Sequence, residues 1–412
     1  MKTFFGILAR LIFGVTFIFS ALTKLISPVG TGLIFKEYFA AFGLQALQPA
    51  ALYAGMLLAL LEFTIGVCVF LGIRIRLSST IALVMTSFFT LLTLYLAIFN
   101  PIDDCGCFGE AIHLSNWDTF YKNLILLPCA FLVFYQRKHI VQIAPNVLEW
   151  VFMGLYALFA VSLWLASYLD VPMVEYTPYK VGTDLTEVPP VPAYETTFIY
   201  EKDGVQEKFT LENLPDDSWT FVDSETIAPE GTVDMTNDFS IYDSEDNDLT
   251  QVILASEKMV LVTAYEPDKL KEAAWGKIAD FRQEVLSLGG EFMLVLSKPV
   301  QLPFDLEACY GDMKMLTTLN RSNGGAVYIS DGIITEKWSK LGMPLGSLEE
   351  SFAQDPEVLV LKNSISRRIH LNIVACVLFV LIFVMKYVCE LVYRQKRKMA
   401  LRKNKNQDST AK

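Results

Sequence analysis

The residues best equipped for chemistry stand in one short run, Asn100-Pro101-Ile102-Asp103-Asp104-Cys105-Gly106-Cys107-Phe108-Gly109-Glu110. A thiolate attacks a disulfide, and a second thiol close by resolves the mixed disulfide. Cys-x-Cys lets two sulfurs meet only if the backbone bends sharply, and Gly106 lacks the Cβ that would hinder the bend. A disulfide closing so small a ring is strained, and strained disulfides are the labile, catalytic ones. At the level of sequence three readings of Cys105 and Cys107 stay open. They are a redox-active pair, a static disulfide formed in an oxidising compartment, or a metal site that draws in His113 or Asp104. The redox pair is the leading expectation. Asp103 and Asp104 would raise a thiol pKa, whereas the helix expected from Ser115 presents a positive end that favours a thiolate. Ser115 and Asp118 give that helix a capping-box pattern. Lys122, in its second turn, could stabilise a thiolate or a reduced quinone anion, or simply snorkel to the membrane interface.

Glu62 is the second candidate. It interrupts an apolar run, Leu57-Leu58-Ala59-Leu60-Leu61-Glu62-Phe63-Thr64-Ile65-Gly66. A carboxylate inside a membrane span is costly and faces the bundle interior. It reads as a structural bridge that can pair with Lys24, or as a group with a proton or quinone role. A transporter built on Glu62 ranks low, because no inverted repeat or broken-helix pair accompanies it. Cys68, Cys129 and Cys376 sit in apolar helices and Cys389 near a helix end, where a thiol packs as a small hydrophobe. His113, His139 and His370 show no metal-ligand spacing, so no metal is expected.

These residues need a membrane scaffold to hold them. The chain has 412 residues, of which 53% are hydrophobic and 19% charged, with mean hydropathy +0.38. Soluble proteins average about 25% charged. That balance excludes a disordered chain, a coiled coil and an ordinary cytosolic enzyme. The net charge of −11 argues against general nucleic-acid binding. A span needs ~20 apolar residues. Six segments qualify, at residues 4–25, 51–72, 78–99, 117–135, 148–169 and 371–392, the fourth being weakest because Lys122 and Pro128 interrupt it. The first lacks a clear cleavage site and reads as an uncleaved helix rather than a signal peptide. Basic residues set the orientation. Arg74 and Arg76, Arg137 and Lys138, and the tail from Arg394 to Lys405 then lie in the cytoplasm with both termini. The Cys-Gly-Cys loop and the acidic region 170–370 lie outside. Arg367 and Arg368 run mildly against that rule. The basic tail reads as this topological anchor, with contact to membrane lipid as an additional role.

The outer region begins with a hairpin expected over 194–211, turning at Asp203-Gly204. Short strands follow at 239–242 and 251–254, then a buried strand at 259–265, a helix over 269–289, a strand at 291–297 and a short helix at 312–320. A hairpin over 325–338 turns at Asp331-Gly332. In this order of elements, 236–345 resembles a thioredoxin-like domain of the bacterial periplasmic type. It departs where that family carries its thiols. Tyr265-Glu266-Pro267-Asp268-Lys269 has no cysteine, Arg321-Ser322-Asn323-Gly324-Gly325 has no proline, and Cys309 has no local partner. The domain is therefore read as redox-inactive, used for recognition or packing.

Residues 1–140 resemble the DoxX and MauE membrane families. The matching elements are Ser20-Ala21-Leu22-Thr23-Lys24-Leu25, Glu62 with Gly66 and Leu71-Gly72, Cys105-Gly106-Cys107-Phe108-Gly109, Trp117 and Lys122-Asn123. The resemblance implies an inner-membrane redox role in two-membraned bacteria, with electron exchange with quinone and assistance to periplasmic disulfide chemistry. It implies Cys105 and Cys107 as the reactive pair, supported by Gly106, Lys122, Asn123, Glu62 and Lys24. The expected fold is a multi-span α-helical membrane bundle plus a soluble α/β domain with a cysteine-less thioredoxin-like site. Its parts are a four-helix unit at 1–140, a fifth span at 141–170, an irregular and β segment at 171–235, and the thioredoxin-like domain at 236–350. A linker and sixth span at 351–392 and a basic tail at 393–412 complete it. The expected function is thiol–disulfide redox exchange with a quinone or a periplasmic thiol protein. The alternative is a non-enzymatic scaffold or assembly factor whose cysteine pair is a structural disulfide and whose outer domain binds a partner.

Overall fold

The computed structural model describes residues 2–102, 104–138, 140, 145–186, 195–202, 205–210, 215, 219–227 and 239–410. The chain divides into two compact units, residues 1–176 with 361–412, and residues 177–360.

The first unit is helical. It contains α1 (Lys2–Ile26), α2 (Pro28–Ala41), a 3₁₀ turn (Gln45–Ala50), α3 (Ala51–Leu71), α4 (Ile75–Phe99), α5 (Asn116–Gln136) and α6 (Asn146–Leu169). Helices α1 and α3 approach closely through small residues. A Cβ on Gly66 would meet the Ile18 nitrogen at 3.0 Å, and one on Gly14 would meet the Phe70 Cβ at 2.6 Å. Ala21, Leu25, Ala59 and Phe63 form the packed centre with Tyr156, Ala160 and Leu163 of α6. Helix α3 ends at Gly72, whose φ of 84° is left-handed. Arg10 donates to the Val69 and Phe70 carbonyls beside that end, both at 3.0 Å.

Helix α2 has no counterpart in the sequence expectations. Pro28 occupies its first turn, where a missing N–H costs nothing. Gly30 and Gly32, which read as helix breakers, instead admit neighbours. A Cβ on Gly30 would overlap the Glu110 carboxylate, and one on Gly32 would touch the Leu52 Cα at 3.3 Å.

Among the described residues, five helices are long and apolar enough to cross a membrane, covering Phe4–Ile26, Gln45–Leu71, Ile75–Phe99, Asn146–Leu169 and Pro356–Gln395. The chain is a multi-helix membrane protein. Helix α5 is not among the five, because Asp118, Lys122, Asn123 and Pro128 lower its hydropathy. It packs against α4 and α1.

The second unit holds β1 (Glu195–Lys202), β2 (Val205–Thr210), β3 (Thr220–Ile227), β4 (Ile241–Tyr242), α7 (Thr250–Leu254), β5 (Met259–Ala264), α8 (Glu272–Ser287) and β6 (Glu291–Leu296). It continues with β7 (Ala308–Gly311), α9 (Met313–Leu319), β8 (Gly325–Ser330), β9 (Ile333–Trp338) and α10 (Leu348–Phe352). Strands β1 to β3 make one antiparallel sheet in the order β2-β1-β3. The other sheet is mixed, in the order β4-β7-β6-β5-β8-β9. Its centre, β5, runs parallel to β6 and antiparallel to β8. Strand β5 is buried on both faces. Val260, Val262 and Ala264 join one core with Phe281 of α8, while Met259 and Leu261 join another with Leu316 and Ile329. The β8–β9 turn has Asp331 at φ 49° and Gly332 at φ 78°, the left-handed pair that a two-residue hairpin requires.

Several expectations need correction. Residues 251–254 are helical rather than extended, and Asp248 accepts the Thr250 N–H at the start of that turn. Strands β3 and β7 were not anticipated. Helix α11 runs continuously over Pro356–Thr410, and its stretch Pro356–Gln395 is apolar enough to cross a membrane. The Asp203-Gly204 turn lies outside the described residues.

Candidate functional site

The loop from α4 to α5 is fixed at both ends. Asn100 caps α4 with a φ of 42°. Asn116, the first residue of α5, donates through its amide to Asn100 Oδ1 and to the Ile102 carbonyl, both at 2.7 Å. Ser115 accepts the Asp118 N–H at 3.1 Å, the cap expected from sequence. Asp104 braces the bend between them. Its Oδ1 accepts the Gly106 N–H at 2.8 Å and its Oδ2 lies 2.7 Å from His113 Nδ1. That pairing pushes the His113 pKa up. Gly106 sits at φ +62°, and a Cβ there would meet Ile34 Cγ2 at 2.7 Å. The bend thus needs glycine for both conformation and space.

This bend brings the Cys105 and Cys107 sulfurs to 3.2 Å as free thiols. Cys105 is buried and Cys107 half-buried. The Tyr38 hydroxyl of α2 lies 2.9 Å from the Cys105 carbonyl oxygen and 3.2 Å from its sulfur. The two thiols divide their acidity. The hydrogen bond that Cys105 gives to Cys107, together with burial, pushes Cys105 far up. That same bond, helped by the ammonium groups of Lys122 and Lys24, pulls Cys107 down to about 6. The same contact thus favours a thiolate on Cys107 and a thiol on Cys105. Burial and the neighbouring Cys105 push the Tyr38 phenol up, so it remains a donor.

Beneath the loop lies a buried polar cluster joining α1 to α3. Lys24 Nζ is 2.9 Å from Glu62 Oε2, 2.7 Å from Ser20 Oγ and 2.5 Å from the Cys107 carbonyl oxygen. Ser20 Oγ also donates to that carbonyl at 2.7 Å. Lys24 and Glu62 are only 4% and 5% exposed, so removing either partner would leave a buried charge uncompensated. The loop's far end is held by Ser27, which donates to Glu110 at 2.6 Å.

Lys122 of α5 stands differently. Its ammonium lies 4.5 Å above the Phe108 ring, and among the described residues it meets no carboxylate. Its neighbour Asn123 is occupied, donating to Thr93 Oγ1 at 3.2 Å and to the Phe89 carbonyl at 3.4 Å, which ties α5 to α4.

All seven residues singled out from sequence, Lys24, Glu62, Cys105, Gly106, Cys107, Lys122 and Asn123, line a single cavity of about 340 Å³. Small-molecule sites span ~300–1,000 Å³. Apart from these the walls are mostly apolar, with Phe17, Phe35, Phe39 and Phe89 among them. Residues 2–136 match a family model described as methylamine utilisation protein MauE. This part of the chain is MauE-like. A second model, a domain of unknown function (DUF8463), matches residues 194–228, which include β1 to β3. No curated protein and no solved structure matches the chain.

Sequence reasoning missed Tyr38 and the full part played by Ser20. Ser20 stood four residues before Lys24, one helical turn away, which is the available signal. Tyr38 belongs to α2, which had not been recognised as a helix. The remaining cysteines lie elsewhere. Cys68 and Cys389 are packed in the bundle core, and Cys309 is half-buried in β7. In the second unit the loop after β5 is closed on itself. Asn323 Oδ1 accepts the Glu266 N–H at 3.0 Å and Asn323 Nδ2 donates to the Glu266 carbonyl at 2.8 Å.

Proposed function

We propose that the chain is a bacterial inner-membrane thiol–disulfide redox protein. Cys105 and Cys107 cycle between dithiol and disulfide, exchanging electrons with a quinone in the helix bundle or with a periplasmic thiol protein. One observation carries this reading: two sulfurs 3.2 Å apart form part of the wall of an apolar cavity that also presents an ammonium group. The thiol–thiolate state of the pair is the reactive one for disulfide exchange. Counting α5 as a span, the loop faces the periplasm together with residues 177–360, and both termini face the cytoplasm. The second unit reads as a thioredoxin-like domain without a Cys-x-x-Cys pair, which holds the client or partner.

The test is thiol trapping in membranes combined with redox titration of the purified protein, with and without quinone. The expected result is a Cys105–Cys107 couple near the periplasmic poise and a mixed disulfide trapped in a single-cysteine variant. A potential well below that poise, with no trapped partner, leaves the second reading. That reading is a scaffold or assembly factor with a structural disulfide, and the cysteine-free loop at Glu266–Lys269 favours it.

A further inference from the structure

The cavity carries more detail than a redox pair needs. Its rim is built from Phe42, Leu44 and Phe88, which are 40%, 46% and 60% exposed. Phe88 lies within an apolar span, so its exposed face meets hydrocarbon. Phe42 and Leu44 lie in the short link from α2 to the 3₁₀ turn. A ligand that enters past them arrives from lipid. Inside, the charged groups play unequal parts. Lys24 is neutralised by Glu62 and spends its remaining donors on Ser20 and the Cys107 carbonyl. Asn123 is occupied by α4. Lys122 alone among these groups brings a charge with no carboxylate facing it among the described residues, and it sits over an aromatic ring that leaves its N–H donors available. An unpaired ammonium in an apolar wall fits a ligand that is neutral on entry and gains negative charge at an oxygen.

We propose that the cavity seats the ring of a lipid-soluble quinone against Cys107, with Lys122 donating to the ring oxygen that becomes charged and Cys105, held by Tyr38, closing the disulfide. The assignment rests on the redox reading above and gives each sulfur a separate task. Cys107, the half-buried sulfur, faces the ring and delivers the electrons. Cys107 adds to a ring carbon as a thiolate. Cys105, buried beneath the Tyr38 hydroxyl, then gives up its proton and attacks the Cys107 sulfur, so the S–S bond forms as the sulfur–ring bond breaks and its electron pair returns to the ring. Two electrons leave the sulfurs and arrive on the quinone. The Cys105 proton and one proton from water end on its two oxygens, so dithiol and quinone become disulfide and quinol. Lys122 neutralises charge during the transfer and is regenerated.

The experiment uses the full-length protein in nanodiscs, reduced, with decylubiquinone as the probe. In a Cys105→Ser variant assayed above its raised Cys107 midpoint, Cys107 stands as a thiolate beside the ring, and a visible thiolate–quinone absorption band is expected. In Cys107→Ser the band should be absent. Lys122→Met should weaken the band and raise the half-saturating decylubiquinone concentration about tenfold or more, while Lys122→Arg should stay within about threefold of wild type. Cys309→Ser serves as a folding and labelling control. A band in Cys107→Ser but not in Cys105→Ser overturns the division of labour. An unchanged concentration dependence in Lys122→Met, with normal elution on size exclusion, overturns the role of Lys122. If wild type exchanges disulfides with dithiothreitol but is not oxidised by decylubiquinone, the quinone seat falls and the thiol–disulfide reading survives. If it does neither, both fall.

Discussion

Two loops in this protein lead into a helix from a tightly packed element, and they are built in opposite ways. After α4, residues 104–110 place two sulfurs on a left-handed bend, beside a cavity, with two ammonium groups acting on them. After β5, residues 265–269 place Glu266, Asp268 and Lys269 on a 3₁₀ turn, and Asn323 takes both backbone groups of Glu266. The first loop keeps reactive atoms available and satisfies its backbone from below. The second satisfies its backbone with the Asn323 side chain. A fold can thus hold a helix start ready for chemistry or close it off, and the neighbours of the backbone decide which.

The contrast can be broken most sharply at the sulfurs. Replacing Cys105 or Cys107 with Ser should remove thiol–disulfide turnover by orders of magnitude in a dithiol oxidation assay, since exchange requires both sulfurs. Next in size is the support beneath them. Glu62→Gln leaves Lys24 buried without its partner and should cost about 3–5 kcal/mol in detergent unfolding. A Lys24→Met/Glu62→Leu double variant should lose much less. Recovery of stability without recovery of turnover would show that Lys24 serves the Cys107 carbonyl as well as the bundle.

Acidity sharpens the comparison further. A lowered thiol pKa means that thiolate persists as pH falls, until the folded value is passed. Iodoacetamide labelling of Cys107 should therefore have its midpoint near pH 6, against ~8.5 for an ordinary cysteine. In Cys105→Ser the midpoint should rise, because the main stabilising hydrogen bond weakens. A midpoint unchanged by that substitution would assign the effect to the lysines alone. Gly106→Ala should cost ~1–2 kcal/mol for the left-handed backbone, plus displacement of Ile34, and should slow disulfide closure measured by stopped flow. The smallest effects belong to the second loop. Lys269→Ala removes an exposed ion pair and should change stability by less than about 0.5 kcal/mol, with thiol turnover unaltered.

The candidate site residues were legible because each breaks a local rule. Two cysteines around a glycine, a carboxylate in an apolar run and a lysine early in a hydrophobic helix all carry a cost that something must offset. Their convergence on one cavity could not be read from spacing, since it depends on how α1, α3 and the loop cross. Tyr38 was hidden because Pro28, Gly30 and Gly32 look like breakers until the neighbours that fill their missing Cβ positions are known. Within the second unit, the buried strands at 259–264 and 291–296 and the Asp331-Gly332 hairpin stood out by periodicity and turn chemistry. Residues 251–254 did not, because Val252 and Ile253 suit a strand as well as a helix. Strand β7 has only four residues, too few for a period to show.

Helix α5 carries a consequence for how the protein is made. A segment with an acidic residue, an ammonium group, an amide and a proline has little tendency to leave the translocation machinery for lipid by itself. Its amide contacts with Thr93 and the Phe89 carbonyl become available only after α4 is already inserted. Counting α5 as a span, the two helices are expected to enter as a hairpin. The polar groups that make the site useful also set the order of its biogenesis, and truncating the nascent chain after α4 should leave a stable intermediate, whereas presenting α5 without α4 should not.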